Sequence, residues 1–183
     1  HAAFTYSLFL KIIGGLNPLT FFKKMKDVVL FAFSTSSSAA TIPVTLKTVN
    51  QNLGVNQNVA SFVIPVGATI NMDGTAIMQG LATVFIAQMS GIDLTLFQYV
   101  QVVLLAVATS IGTAAVPSAG TITLIIILQQ FNLPLEAIGI ILAVDRVLDM
   151  IRTSVNVTGD AAIACIVART ENQFDENIFY SKV

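Results

Sequence analysis

Charge is scarce in this sequence. Of its 183 residues only 10% are Asp, Glu, Lys or Arg, against about a quarter in a soluble domain, so a membrane setting is the first reading. The charges are also unevenly spread: residues 48–72 and 94–135 carry none, and each run is longer than the ~20 apolar residues a spanning helix needs. The net charge of −1 and the scattered lysines leave no basic surface for nucleic acid. The single cysteine, Cys165, cannot form an internal disulfide and lies in the apolar run 161–168, where a small buried thiol fits. Histidine is confined to His1, and neither a G-x-S-x-G turn nor a phosphate loop occurs. No enzyme activity and no organic cofactor are therefore expected. No charged leader opens the chain, which starts at His1 and reads as a piece of a longer protein.

What is present is 55% hydrophobic residues, punctuated by small and hydroxylated ones. Residues 1–16 read as the end of a peripheral transmembrane helix, closed by Gly14-Gly15 and Asn17-Pro18. Pro18 suits the first turn of the next helix, and Lys23, Lys24 and Lys26 beside an apolar run mark a membrane edge. The serine run 34–38 then interrupts that helix, since small hydroxylated residues compete for backbone hydrogen bonds. Residues 18–49 are thus expected to form a re-entrant helical hairpin with the serines at its tip. Residues 56–89 read as one long helix unwound in the middle at Asn71-Met72-Asp73-Gly74-Thr75, because these groups are costly in an unbroken helix facing lipid. A second hairpin over 94–131 breaks at Gly112 to Gly120, a last helix spans 135–168, and the charged tail 169–183 is expected to be mobile. The expected fold is an all-α membrane protein whose transport core, 17–168, carries two interrupted hairpins. Pro43 precedes Asn71 by the same 28 positions as Pro117 precedes Asp145, and paired interrupted segments point to a transporter site at the bilayer midplane.

The last helix carries the chemistry. At 100° per residue, Asp145, Asp149, Arg152, Asn156 and Asp160 fall within roughly 80° of one another and form one polar stripe. Left unpaired at mid-membrane, the three Asp and Arg152 would cost roughly 10 to 14 kcal/mol together, so the stripe must face partners. It admits two readings. One is an internal salt-bridge network, with Asp149 and Arg152 neutralising each other at i, i+3. The other is a site in which cations offset the surplus carboxylates, Arg152 grips a carboxylate in two-toothed fashion and Asp149 takes an ammonium. The second describes an acidic amino acid. Asp145 fits a cation partner or a pairing with Arg146 or Arg152 equally well. The sequon Asn156-Val157-Thr158 lies mid-helix, out of reach of a glycosyltransferase.

These residues carry a resemblance. Ser36-Ser37-Ser38 with Thr41-Ile42-Pro43-Val44-Thr45, the Asn71-to-Thr75 segment, Gly112-Thr113 through Val116-Pro117 to Gly120, and Asp149-Met150-Ile151-Arg152-Thr153 with Asn156-Val157-Thr158-Gly159-Asp160 are similar, in order, to the excitatory amino acid transporter family, the dicarboxylate/amino acid:cation symporters. The resemblance implies a multi-pass cell-membrane protein, read as prokaryotic inner membrane. It also implies a homotrimer whose transport domain moves as an elevator against a scaffold outside this chain. It places the substrate at Ser36, Ser38, Thr75, Val116, Gly120, Asp149, Arg152, Thr153 and Asn156. It places one sodium at Asp160 with backbone oxygens near Asn71 and Asn156, a second at the Thr69, Ser110, Ile111 and Thr113 carbonyls beside Met72, and a third at Asn71, Asp73 and Thr75. Two features depart from the family pattern. Its extra arginine at the first tip or after the substrate Asp is replaced here by Ser36 and Met150, and the glutamate of the animal carriers is Gln79. Sodium coupling without potassium countertransport is expected; the alternatives are a proton-coupled dicarboxylate or glutamate carrier and an anion-conducting channel.

Overall fold

The computed structural model describes residues 1–181. The regular elements among them are all helical, so the fold is all-α, and one isolated β-bridge joins Val55 to Phe174. A π-helical turn, Ala2–Tyr6, leads into α1 (Ser7–Ile12). Helix α2 (Pro18–Thr35) starts where the sequence supplies a cap and a pre-set backbone: the Asn17 side chain accepts from Leu19 N–H, and Pro18 takes the first position. It stops at Ser36, which adopts the left-handed conformation at φ 53°, and Ser37 then caps α3 (Ser38–Gln51) by accepting from Ala40 N–H. Next in the chain are α4 (Gln57–Ile70), α5 (Asp73–Met89), α6 (Leu96–Ile111), α7 (Ala119–Gln130), a 3-10 turn at Leu135–Ala137, α8 (Ile138–Thr170) and α9 (Glu176–Tyr180).

Helices α2 and α3 pack on each other as one hairpin and α6 and α7 as a second, while α8 touches α2, α3, α4, α5 and α7 and so forms the axis. One apolar cluster, including Phe21, Met25, Ile64, Val157 and Cys165, joins the first hairpin to α4 and α8. Another, including Met78, Ile86, Leu124, Leu128 and Ile141, joins the second hairpin to α5 and α8. Between them the polar stripe is inward: Asp145, Asp149, Arg152, Asn156 and Asp160 are each at most 4% exposed. The exterior is the reverse, with Phe62, Leu81, Leu104 and Ile122 at least 65% exposed.

Residues 52–56 divide the uncharged run 48–72, and residues 112–118 divide 94–135. Several sequence expectations are corrected. No helix among the described residues is long and apolar enough to cross a membrane; α8 has the length, but it carries the stripe. Residues 57–89 do break in the middle, at Asn71 (φ −85°, ψ 76°) and Met72 (φ −108°, ψ 43°). The matched proline spacing does not join equivalent positions: Pro43 lies inside α3 and Pro117 in the second tip. A proline inside a helix removes one backbone bond, but packing of α3 on α2, α4 and α8 holds the helix through it. What does recur is the turn itself, since Ser118 at the second tip is left-handed like Ser36, with φ 61°.

The tail is packed rather than mobile as far as Ser181. Asp175 N–H donates to Gly54 O at 2.8 Å and Asn56 N–H to Gln173 O at 3.0 Å. The Lys24 ammonium donates to Asn52 O and Ile178 O, and Phe179 is fully buried.

Candidate substrate and cation site

Helices α3, α5 and α7 begin at Ser38, Asp73 and Ala119, and their first turns converge on the middle of α8. The first N–H groups of a helix have no partner within it, and its N-terminus carries about half a positive charge. Three such ends facing one point make a place for anions. Ser36, Ser38, Thr75, Val116, Gly120, Asp149, Arg152, Thr153 and Asn156, the substrate residues expected from the sequence, all line one cavity there.

Arg152 occupies its centre. Its Nε donates to Asp149 Oδ1 at 2.8 Å. Its NH1 lies 3.4 Å from Asp145 Oδ1, close enough for attraction, but neither NH1 nor NH2 has a hydrogen-bond partner among the described residues. Two buried guanidinium nitrogens without acceptors are expensive, and their fork suits a planar anion with two oxygens. Asp149 is used on both sides, since its Oδ2 accepts from Ser118 N–H of the second tip at 2.8 Å. Asp145 accepts from the Thr121 hydroxyl of α7, which makes it a strut between α8 and the second hairpin as well as a partner of Arg152. Arg146, by contrast, is exposed and reaches Ser34 O of the first hairpin at 3.4 Å.

Asn156 ties α5 to α8. Its Oδ1 accepts from Gly74 N–H at 2.7 Å and its Nδ2 donates to Thr75 Oγ1 at 3.2 Å. Gly120 is required for close approach: a Cβ there would fall 2.8 Å from Thr75 Cγ2 and 3.2 Å from Arg152 Cζ. The two tips also touch, because Ala115 O accepts from the Ser37 hydroxyl at 2.8 Å and from Ala39 N–H at 3.3 Å. The cavity that remains is about 10 Å³, room for about one water.

The expected cation ligands fall where helix C-termini leave carbonyls free. Asn71, at the end of α4, donates from Nδ2 to Asp160 Oδ1 at 2.9 Å and to Asn156 O at 3.2 Å, so the first set is drawn together. Asp73 points the other way, with Oδ2 accepting from the Tyr6 hydroxyl. Thr75, two residues on, lies on the opposite side of α5 beside Gly120 and Asn156. Met72 Sδ lies 3.3 Å from Asn156 Nδ2. Ser110 and Thr113 spend their hydroxyls on Val107 O and Thr109 O, which leaves carbonyls as what the segment 110–113 can offer. Ile111 and Thr69 are exposed. Helices α4 and α6 touch, but Thr69 shares no hydrogen bond with residues 110–113 among the described residues. No group of three or more His, Cys, Asp or Glu that could hold a metal occurs among the described residues either.

The Sodium:dicarboxylate symporter family model matches residues 1–170. The chain belongs to that family. Among the relatives of this symporter-family chain, the excitatory amino acid transporter of Caenorhabditis elegans is 45% identical over 91% of the chain and 33% of its own length. Human excitatory amino acid transporter 2 is 46% identical over 91% of the chain and 29% of its length. Human excitatory amino acid transporter 5 is 43% identical over 92% and 30%. The symporter-family chain therefore spans about a third of the length of these relatives, which are transporters and not enzymes. All three are animal proteins, so the expectation of a prokaryotic origin gains no support and is dropped.

Sequence reasoning missed one residue at the site's margin. It read Gln79 only as a replaced glutamate, yet Gln79 is fully buried and holds both arms of the second hairpin. Its Nε2 donates to Gly120 O and Thr123 Oγ1, and its Oε1 accepts from the Thr109 hydroxyl. A buried amide at helical spacing from Thr75 and Thr83 was the available signal.

Proposed function

We propose that the chain is the substrate- and ion-binding core of a sodium-coupled symporter for acidic amino acids, aspartate or glutamate. The observation that carries this reading is Arg152, whose two terminal nitrogens are buried without hydrogen-bond partners among the described residues, beside Asp149. The guanidinium takes the side-chain carboxylate, with Thr75 assisting. Asp149 takes the ammonium, and Asn156 with Ser38 takes the α-carboxylate. A ligand lacking either the amine or the second carboxylate leaves one of these groups unmatched in a dry site, and a site of that kind discriminates strongly.

Sodium offsets the remaining carboxylates, at Asp160 with Asn71 and Asn156 carbonyls, at the Thr69, Ser110, Ile111 and Thr113 carbonyls, and at Asn71 and Asp73. Helix C-termini and unwound carbonyls suit the cations as helix N-termini suit the substrate anion. The apolar exterior over a polar interior supports a bilayer setting in which both hairpins enter without crossing. A cavity of about 10 Å³ is too small for an amino acid, so entry requires the second hairpin to lift, and the incoming ammonium replaces Ser118 N–H at Asp149. The elevator movement and the homotrimer rest on the family resemblance and on scaffold helices outside this chain. Gln79 cannot ionise, which favours sodium coupling without potassium countertransport.

The test is uptake of labelled aspartate by vesicles holding the full-length protein, with sodium and proton gradients imposed separately. Uptake driven by sodium alone is expected. Uptake driven by protons alone would favour the dicarboxylate carrier, and current without concentrative uptake would favour the channel. Coupling also requires that sodium raise aspartate affinity and aspartate raise sodium affinity by the same factor.

A further inference from the structure

Tyr6 lies in the π-helical turn that precedes α1, and it belongs to neither the substrate set nor the cation sets. It is nevertheless buried, at 2% exposure, and packs against α8. Its hydroxyl donates to Asp73 Oδ2 at 2.9 Å. On the other side of that hydroxyl is Gly159, where an added Cβ would fall 2.4 Å from the Tyr6 oxygen and 2.5 Å from Asn71 Nδ2. The absence of a side chain at Gly159 thus lets a phenol from one end of the chain and an amide from the α4–α5 break meet between Asp73 and Asp160. Asp73 Oδ1 accepts no hydrogen bond among the described residues, while Oδ2 accepts from Tyr6 and lies 2.9 Å from the His1 ring nitrogen Nε2. Thr75, which the family resemblance places both with Asn71 and Asp73 at a cation and at the substrate, lines the substrate cavity.

We infer that Tyr6 is a positioning residue for the cation site at Asn71 and Asp73. By holding one carboxylate oxygen of Asp73 it fixes the rotamer that turns the other toward the ion, and it does so from an element that contributes no ligand to the substrate. The inference rests on the proposed sodium coupling and narrows it: Tyr6 governs sodium affinity and leaves amino-acid recognition at Arg152 alone. A carboxylate held by a neutral hydroxyl keeps its full charge for the cation, whereas one held by a lysine or arginine would be neutralised. The phenol is therefore the kind of anchor a cation site can tolerate.

The experiment uses the full-length protein with Tyr6→Phe, which keeps the ring in its packing and removes only the hydroxyl. The sodium concentration for half-maximal aspartate binding is expected to rise by about three- to tenfold, the net scale of one hydrogen bond to a partly exposed group. Aspartate affinity at saturating sodium should stay within about twofold, and the melting temperature without ligand should change little. In an Asp73→Asn background the same substitution should add no further shift in sodium dependence, because the carboxylate it positions is gone. An unchanged sodium dependence in Tyr6→Phe overturns the inference. So does a parallel loss of sodium and aspartate affinity with a lowered melting temperature, which would mark Tyr6 as a packing residue. If the wild-type protein binds aspartate without regard to sodium, the proposed function itself fails and this inference with it; a sodium-dependent wild type whose sodium dependence is the same in Tyr6→Phe defeats this inference alone.

Discussion

Ser118 and Asp149 are joined by a hydrogen bond of 2.8 Å that runs from the tip of the second hairpin to the middle of α8. Asp149 thereby holds the tip of the second hairpin with the same carboxylate that, in the proposed function, takes the substrate amine. In Asp149→Asn the amide oxygen can still accept from Ser118, so the hairpin can still close, but the site no longer offers a negative charge to an amine. Aspartate should lose at least ~10 times more affinity than succinate, a dicarboxylate without the amine, a difference of about 1.4 kcal/mol or more. Competition of both compounds against labelled aspartate measures the ratio; equal losses would mean that the ammonium is held elsewhere.

Arg152→Thr removes the two guanidinium nitrogens that lack partners in the cavity. Aspartate affinity should fall by at least ~100-fold, the sum of two hydrogen bonds to charged groups. Neutral amino acids such as serine should by comparison lose little. Isothermal titration of the variant with aspartate and with serine checks both limbs, and retained aspartate affinity would remove Arg152 from the site.

Gln79→Leu tests the clamp on the second hairpin. It leaves Gly120 O, Thr123 and Thr109 without the amide that joins them, although each keeps a partner within its own hairpin arm, and each lost hydrogen bond is worth about 0.5–1.5 kcal/mol. Backbone hydrogen exchange over residues 112–124 should accelerate by at least ~10-fold, while exchange in α2 and α3 stays unchanged. Uniform acceleration throughout the chain would show general destabilisation instead.

Phe179→Ala tests the docked tail. The side chain is fully buried in the cluster with Phe21 and Met25, and its truncation should cost about 3–5 kcal/mol. Thermal unfolding in detergent reads the loss. A melting temperature unchanged from wild type would mean that the tail contributes nothing to the first hairpin.

Much of this arrangement was legible because polar residues are so costly in an apolar chain that their positions carry information. The stripe from Asp145 to Asp160 needed only the helical repeat, and its partners on α5 and at both tips were the other places where polar or small residues interrupted an apolar run. The turns themselves could be read from the serines and glycines. Contacts decided by packing at a distance could not. Pro43, matched to Pro117 by its spacing, is carried inside a helix by the neighbours of α3. The tail looked like a solvated segment by its charge, whereas Phe179 and the acceptors offered to Lys24 by Asn52 and Ile178 fix it to the first hairpin. Tyr6 and Gly159 meet across most of the chain, and neither residue type announces a partner.

The two hairpin tips share a single acceptor, since Ala115 O receives both the Ser37 hydroxyl and Ala39 N–H. In the proposed function, lifting of the second hairpin would take that bond from both donors of the first in the same event. On that reading the first hairpin senses its counterpart without bending any helix of its own, and a lesion confined to residue 37 should loosen residues 112–118 on the far side of the cavity.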